Sequence, residues 1–268
     1  ADERREFHLD ATVERVLNLL DEQLFLTEAQ RKEMYQPLRE KLDGMEGSSF
    51  TFSPQSYYYK QQSVAFVLRR GEHLKCLNTA QRTRAKDFSG VATNDVNSTQ
   101  YLSFSSSEGM NTWGDKLLEA AKAQRQRVYR ACAVRAAYGQ AEWGLSEREA
   151  RRLQVAGKGV ADKLIEEWKK TTRTQLKTYE DQAGRFGGNF SFSVQVPELT
   201  KIESDPLWEH TVDLLLADAD EPDSTRDAAI RRSGAIFLTG LLDKELWLHP
   251  EQRSHVQKLI EDALPSNN

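Results

Sequence analysis

Histidine, cysteine and carboxylate side chains could supply acid–base, nucleophilic or metal chemistry, but their spacing in this chain favours none of these. The five histidines are scattered. His210 with Asp213 could in principle meet a metal, although a scattered surface histidine is the better interpretation. The carboxylate pair Glu166-Glu167 lies beside lysines, as on a solvated helix face. Zinc-protease, Cys-x-x-Cys, Gly-x-Ser-x-Gly and dinucleotide-binding motifs are missing from the sequence. The sequence therefore predicts no catalytic residue, no metal ligand and no cofactor.

Basic side chains could instead bind a phosphate group or a polyanion. Gly157-Lys158-Gly159 is a weak match to a phosphate-binding loop, because no strand precedes it and the long glycine spacing is missing. Residues 116–177 carry a basic excess and residues 198–262 an acidic one, so the simpler interpretation is two regions that attract each other. Aromatic residues are not regularly interleaved with the basic ones and no nucleic-acid motif accompanies them, which disfavours nucleic acid. Binding of an anionic polymer through 116–177 stays open.

The candidate binding residues are basic residues of this stretch and aromatic residues of two others. Three tyrosines in a row could form a binding surface, although such residues more often cover the core of a small helical unit. The candidates are Tyr57, Tyr58, Tyr59, Phe190, Phe192, Arg151, Arg152 and Lys158.

The sequence contains an internal repeat, and the helices that it predicts must position the candidate binding residues. The stretch Leu20–Arg31 returns as Leu242–Arg253, with Leu, Asp, Leu, an aromatic residue, Leu, Gln and Arg in register. Shorter copies are Leu77–Arg82 and Trp143–Glu149. Internal repetition of this kind determines the architecture of a fold. The repeat predicts helix-turn-helix hairpins.

Each copy of the repeat contains residues that start a helix. Thr27 with Gln30 and Ser146 with Glu149 match the capping box, in which the hydroxyl accepts a backbone N–H and the Gln or Glu side chain reaches back to the cap. Pro250 suits the first helical position. The predicted structural caps are Thr27, Gln30, Asn78, Ser146, Glu149, His249 and Pro250.

Apolar periodicity predicts a mainly α protein with a few short extended segments. Helices are predicted over 10–23, from 27 onwards, and over 78–88, 115–141, 146–179, 207–216 and 228–246. Pro37 lies inside the second of these, which should kink or begin again there. Three segments alternate between apolar and polar residues and could pair into a small sheet: Phe50–Phe52, Tyr101–Phe104 and Phe190–Val196.

Length and composition bound the domain organisation. The 268 residues include 29% charged and 38% hydrophobic residues with a formal net charge of −4, as in a soluble globular protein of one or two domains. Residues 89–113 are rich in Ser, Asn and Gly and are predicted to be a linker or loop. We therefore expect an N-terminal helical unit over 1–88 and a C-terminal helical unit over 114–268. No apolar run approaches the roughly 18 residues of a membrane helix, so no membrane span is predicted.

The cellular location stays open at the level of the residues. The chain begins at Ala1 without an initiator methionine, as expected of a mature exported protein and equally of a trimmed chain. Cys76 and Cys132 could form a disulfide after export, and two free thiols are as consistent with the sequence. A cytoplasmic location is not excluded by these features.

The stretch Leu145–Gly159 resembles the Leu-(Ser/Thr)-x-x-Gln…Leu-x-Leu-Ala-Gly-(Arg/Lys)-Gly signature of a paralogous family of exported planctomycete proteins. Glu149 stands where that family usually has Gln, and Val155 where it has Leu. The resemblance implies export. It assigns no activity, because no activity is known for the family.

Two further features of the repeat bear on this resemblance. Units similar to Leu20–Leu42, followed by a segment like Tyr57–Phe88, also occur in the planctomycete family. The final copy of the repeat lacks such a segment, so we expect the natural chain to continue past Asn268. Leu26–Gln30 also matches the Leu-Thr-x-x-Gln motif of periplasmic proteins of the Spy and CpxP type, which implies a helical chaperone or stress sensor.

These features favour a non-enzymatic exported helical interaction protein that acts as a scaffold, a sensor or a chaperone. Its apolar helix faces and the segments Tyr57–Tyr59 and Phe190–Val196 would meet a protein partner, and a homodimer is possible. One alternative is an enzyme whose site is assembled from scattered residues at the junction of the two halves. Another is a regulator that binds an anionic polymer through 116–177.

Overall fold

The structure, a computed structural model, describes residues 2–43, 67–68, 72–89, 101–105, 108–186, 191–197, 202, 204–217 and 224–265. It confirms the mainly α fold. The helices are α1 (Asp2–Leu24), α2 (Glu28–Asp43), α3 (Thr79–Ser89), α4 (Gly109–Glu142), α5 (Glu147–Phe186), α6 (Pro206–Leu216), α7 (Ser224–Leu246) and α8 (Pro250–Ala263), and Glu72–Leu74 form a 3₁₀ turn. Within these described ranges, no helix combines the length and the apolar content needed to cross a membrane.

Five helices differ from their predicted course. α4 begins at Gly109 rather than at 115, α5 ends at Phe186 rather than at 179, and α7 begins at Ser224 rather than at 228. α1 begins at Asp2 rather than near residue 10, and Asp2 and Glu3 place acidic side chains in its first turn, where they interact favourably with the helix dipole. α2 runs through Pro37 without the expected restart. The proline removes one backbone hydrogen bond. Met34 and Leu38 are fully buried on either side of it and hold the helix against the core.

The chain divides into two compact units whose boundaries differ from the expected halves. The first unit contains residues 1–89, 141–143 and 219–268, and the second contains residues 90–140 and 144–218. α7 and α8 therefore belong with α1, α2 and α3. The expected linker contains a strand and the start of α4. The two cysteines are free thiols and lie in different units.

In the first unit, α1 and α7 pack in antiparallel directions. Arg4 near the start of α1 contacts Asp243 near the end of α7, and Arg226 near the start of α7 contacts Asp21 near the end of α1. These four residues are repeat equivalents, Arg4 of Arg226 and Asp21 of Asp243, at one constant offset along the chain. The hairpin α1–α2, called here the first pair, and the hairpin α7–α8, the second pair, are thus two copies of one unit related by an approximate twofold axis.

The second unit combines the long helices α4 and α5 with a small antiparallel sheet. β1 (Tyr101–Ser105) pairs with β2 (Ser191–Gln195), as expected for two of the alternating segments. The third predicted segment, Phe50–Phe52, lies outside the described residues. A tryptophan indole ties each strand to a helix: Trp113 Nε1 donates to the Ser105 carbonyl at 2.8 Å, and Trp168 Nε1 to the Gln195 carbonyl at 2.7 Å.

Gly157 lies where α5 comes closest to its neighbours in the second unit. A Cβ atom added there would lie 2.6 Å from Cys132 Sγ on α4 and 3.0 Å from the Trp208 ring on α6. Gly159 is exposed, and its Cβ would meet only the end of the Leu207 side chain, at 3.3 Å. The two glycines therefore have different roles.

We expect Gly157→Ala to lower the free energy of unfolding by about 1–3 kcal/mol, because the added methyl group overpacks the contact with Cys132. Gly159→Ala is the matched control and should raise stability by up to about 1 kcal/mol, since alanine is the better helix former. Urea denaturation of both variants measures the difference. Equal effects in the two variants would show that α4 and α5 can move apart at no cost.

Candidate interaction surface

The two pairs share an unusual turn between their helices. Phe25 directly follows α1 with φ of 49°, and Trp247 directly follows α7 with φ of 52°. Their amides donate to the carbonyls of Asp21 and Asp243, at 2.9 and 3.1 Å. This left-handed cap normally holds glycine or asparagine, because a side chain is strained there. An aromatic residue at both equivalent positions indicates that the ring has a use that offsets the strain.

A buried aspartate holds the turn of the second pair. The Asp243 carboxylate is fully buried, with Arg4 Nε at 2.9 Å, Arg253 Nε at 3.1 Å and His8 Nε2 at 2.9 Å. The Arg4 guanidinium also lies over the Trp247 ring, 3.7 Å from its centre. We call this group of residues the second clamp.

The first pair has the equivalent first clamp around Asp21, which is also fully buried. Its carboxylate accepts from the Leu26 amide at 2.6 Å and pairs with Arg226 Nε at 3.0 Å, while Arg31 Nη1 lies 3.8 Å away. The Arg226 guanidinium lies over the Phe25 ring at 4.2 Å. Each arginine near the start of one helix therefore fixes the turn at the end of the other.

The two aspartates titrate in opposite directions. Burial alone would raise the pKa of Asp243, but the hydrogen bonds and charges of Arg4 and Arg253 outweigh it, and the pKa lies below its ordinary value of 3.8. Burial raises the pKa of Asp21 despite Arg226 and Arg31. Asp243 has two guanidinium groups within hydrogen-bonding distance, whereas Asp21 has one, and at Asp21 the effect of burial exceeds the effects of its partners.

The lowered pKa of Asp243 predicts an acid-dependent loss of stability. Because the folded pKa lies below the unfolded one, its contribution is complete above the unfolded pKa and is lost as the pH falls through the folded pKa. The stability difference between wild type and Asp243→Asn should therefore shrink below about pH 4, separately from any change at higher pH that comes from His8, which contacts the same carboxylate. Urea midpoints measured from pH 7 to pH 2.5 test this. A difference that stays constant to pH 2.5 would contradict it.

Four of the seven predicted cap residues lie directly before a helix, namely Thr27, Asn78, Ser146 and His249. Thr27 and Gln30 form the capping box of α2, and the Ser146 amide donates to Glu149 at 2.8 Å in that of α5. At α3, Asn78 and Gln81 form the capping box, and Gln81 was not among the predicted cap residues. At α8, Pro250 begins the helix, and the His249 amide donates to Gln252 Oε1 at 2.8 Å.

Two of these boxes are joined to each other in the first unit. The side-chain amides of Gln30 and Gln81 pair reciprocally, at 2.8 and 2.9 Å. Gln81 Nε2 also donates to the carbonyls of Leu24 and Phe25, at 3.0 and 3.1 Å, and so satisfies the end of α1. Gln30 Nε2 donates to the Cys76 carbonyl. We call this arrangement the capping-box interlock. It docks α3 onto the first pair.

The docked segment covers the apolar face of the first pair. Leu20 and Leu24 of α1 are 0% exposed, and Val16 is 1% exposed. Leu77 and Ala85 from the covering segment belong to the same buried cluster, together with Val67 and Leu68.

The same face of the second pair is open. The equivalents of Val16, Leu20 and Leu24 are Leu238, Leu242 and Leu246, which are 37%, 41% and 63% exposed. Trp247 is 74% exposed, and Leu259 of α8 is 56% exposed. We define the open face as Leu238, Leu242, Leu246, Trp247 and Leu259.

The predicted aromatic binding residues do not lie on this face. Tyr57, Tyr58, Tyr59 and Phe190 fall outside the described residues. Phe192 belongs to the second unit, where its ring stacks on those of Phe104 and Tyr179 and meets the Trp113 ring edge-on.

The predicted basic residues lie on α5 of the second unit. Arg151 and Arg152 line an open groove of about 760 Å³ with Arg148, and Val155 and Leu207 supply apolar surface. Lys158 Nζ lies 5.7 Å from the centre of the Tyr129 ring. Among the described residues, no three His, Cys, Asp or Glu side chains come together as a metal site would require.

The residues of the clamps and of the open face were not singled out from the sequence. The repeat contains a signal for them, because Asp and Arg recur in register at Asp21, Arg31, Asp243 and Arg253. The difference in exposure between the copies carries no signal in the sequence, since both copies have leucine at two of the equivalent positions and an aliphatic residue at the third, Val16 and Leu238.

Comparisons of the chain with models of protein families, with curated proteins and with solved structures found no match.

Proposed function

We propose that this protein is a non-enzymatic helical interaction protein whose open face binds a protein partner. The observation that supports this most is the contrast between repeat-equivalent leucines. Leu20 and Leu24 are fully buried, whereas Leu242 and Leu246 are largely exposed. Exposed apolar side chains gathered on one face are typical of a protein interaction site. The resemblance to exported planctomycete proteins supports a location outside the cytoplasm, and the resemblance to Leu-Thr-x-x-Gln proteins supports a sensor or chaperone role.

The second clamp supports the proposal because it makes the open face rigid before a partner arrives. The turn is fixed by the ion pairs of Asp243 with Arg4 and Arg253. The Arg4 guanidinium also packs on one face of the Trp247 ring. A preorganised surface loses less conformational entropy on binding, which improves affinity. An exposed tryptophan held in this way resembles the aromatic residues that dominate binding energy at interfaces.

Site-specific photo-crosslinking tests the proposal. A benzophenone side chain at Leu246 should crosslink one protein in the producing cells, and the same group at Lys32, exposed on α2, should not. The crosslinked protein, once purified, should quench or shift the fluorescence of Trp247, and Leu246→Lys should weaken its binding at least roughly tenfold. Equal crosslinking from both positions, or binding that Leu246→Lys leaves unchanged, would reject the proposal.

The groove on α5 favours a second candidate function, which is binding of an anionic polymer. Arg148, Arg151 and Arg152 all line that groove, where Arg151 Nη2 pairs with Glu147 at 3.1 Å, and Arg125 and Lys169 of the same basic region pair with Asp162 or Glu166. Polyphosphate binding should then weaken steeply with salt, and replacing the three groove arginines by glutamine should abolish it. Binding that survives this replacement would reject the candidate.

A further inference from the structure

We propose that the open face receives a helix start from a partner protein, of the form Leu-(Asn/Ser/Thr)-x-x-Gln with an arginine three residues after the glutamine. This inference rests on the proposed function and names the chemistry of the partner. It comes from the approximate twofold axis of the first unit. The segment that covers the first pair contains Leu77 and α3. A partner that binds the equivalent face of the second pair should have the same contact residues.

Glutamine is the residue that makes the interlock possible. In the first pair, Gln81 Oε1 accepts the Asn78 amide while its Nε2 donates to Gln30 and to the end of α1. A glutamate would cap the helix equally well, as Glu149 does for α5, but it has no donor for the neighbouring helix. The interlock therefore requires glutamine on both sides.

The second pair retains its half of the interlock. Gln252 is the repeat equivalent of Gln30, its Oε1 accepts the His249 amide at 2.8 Å, and its side chain is exposed. Its amide is thus oriented by its own helix start in the way that the Gln30 amide is. A partner glutamine placed as Gln81 is placed could pair with it and reach the last carbonyls of α7.

Charge complementarity predicts an arginine in the partner, three residues after its glutamine. In the first unit, Arg84 Nη2 of the covering helix donates to Gln23 Oε1 at 3.1 Å. The repeat equivalent of Gln23 is Glu245, which is exposed at the end of α7. A carboxylate in place of an amide strengthens the hydrogen bond to an arginine. The second pair is therefore better suited than the first to an arginine at this position.

The apolar contacts follow the same pattern. Leu77, one residue before the Asn78 cap, is 1% exposed in the covered first pair. A partner leucine at this position would contact Leu242 and Leu246, the equivalents of the leucines that α3 and its preceding turn cover.

A second copy of this chain is not the occupant that the structure favours. The segment of this chain that carries the motif is already docked on its own first pair, where Leu77 and Gln81 are each 1% exposed. Offering it to another copy would uncover Leu20 and Leu24. A separate protein can supply the same helix start without that cost.

A synthetic peptide with the sequence of residues 72–89 serves as the probe for the full chain. Because the chain has five tryptophans, binding at the open face is reported by the fluorescence change that the wild type shows and Trp247→Phe does not. We expect saturable binding that the Gln81→Glu peptide, which keeps its cap and loses its donor, weakens at least about tenfold. In the protein, Glu245→Arg should weaken binding of the unchanged peptide roughly tenfold, and an Arg84→Glu peptide should restore it.

Specific outcomes separate this inference from the proposed function. If the crosslinked cellular partner lacks the motif, or if the Gln81→Glu peptide binds as well as the original, the inference fails while the proposed function stands. If no cellular protein contacts Leu246, both fail. A dimer of the chain that buries Trp247, detected by sedimentation, would assign the face to a second copy and overturn the inference.

Discussion

Replacing Asp243 by alanine is expected to lower the free energy of unfolding of the first unit by about 3–5 kcal/mol. The carboxylate is fully buried, and its partners Arg4 and Arg253 are 19% and 10% exposed at their side chains. Removing one partner of a buried ion pair leaves the other charge without compensation, which costs far more than the intact pair contributes. Urea denaturation followed by Trp247 fluorescence measures the change.

Two variants make this result specific to the buried charge. Glu33→Ala removes an exposed carboxylate from α2 and should change stability by no more than about 0.5 kcal/mol. Asp21→Ala should lower the free energy of unfolding by less than Asp243→Ala does, because burial outweighs the arginine contacts at Asp21 and raises its pKa. A loss for Asp243→Ala below about 1 kcal/mol would mean that water reaches the clamp when the carboxylate is removed, and the clamp would not be a structural anchor.

The sequence was sufficient to locate the helix starts that follow the four copies of the repeat. Thr27, Asn78, Ser146 and His249 lie where the repeat places them, because a cap is a local feature that a few neighbouring side chains determine. The mainly α class follows in the same way from apolar periodicity. The strand pairing of β1 with β2 was also within reach, since alternation marks both segments.

The arrangement of the helices was beyond the sequence for a physical reason. The contacts that join α1 to α7, such as Arg4 with Asp243, link residues almost the whole chain apart. The copies of a repeat have similar faces, so either could pack on several neighbours. Only the three-dimensional contacts select the division into units. The positive φ of Phe25 and Trp247 was equally hidden, because aromatic residues rarely occupy that conformation.

The candidate surface illustrates the same limit. The leucines at equivalent positions of the repeat are identical in type, and their exposure depends on whether another segment docks over them. Gln252 and Glu245 gain their significance only by comparison with Gln30 and Gln23, whose contacts are visible in the structure. The covered first pair therefore shows which contacts a partner bound to the open face of the second pair would be expected to make.

The matched substitutions Leu24→Ala and Leu246→Ala are expected to separate stability from function. Leu24 is 0% exposed, so its truncation leaves a cavity beneath α3 and should lower the free energy of unfolding by about 2–5 kcal/mol. Leu246, the repeat equivalent, is 63% exposed, and its truncation should change stability by no more than about 0.5 kcal/mol. Urea denaturation measures both variants under one set of conditions.

Partner binding should respond in the opposite order. Leu246→Ala removes a central contact of the open face and should weaken binding of the crosslinked partner at least roughly tenfold. Leu24→Ala, measured at a temperature where it remains folded, should bind as wild type does, because Leu24 lies beneath the covering segment. If Leu246→Ala instead costs as much stability as Leu24→Ala, the open face is already covered within the chain. The proposed interaction would then lose its physical basis, because no apolar surface would remain for a partner to bury.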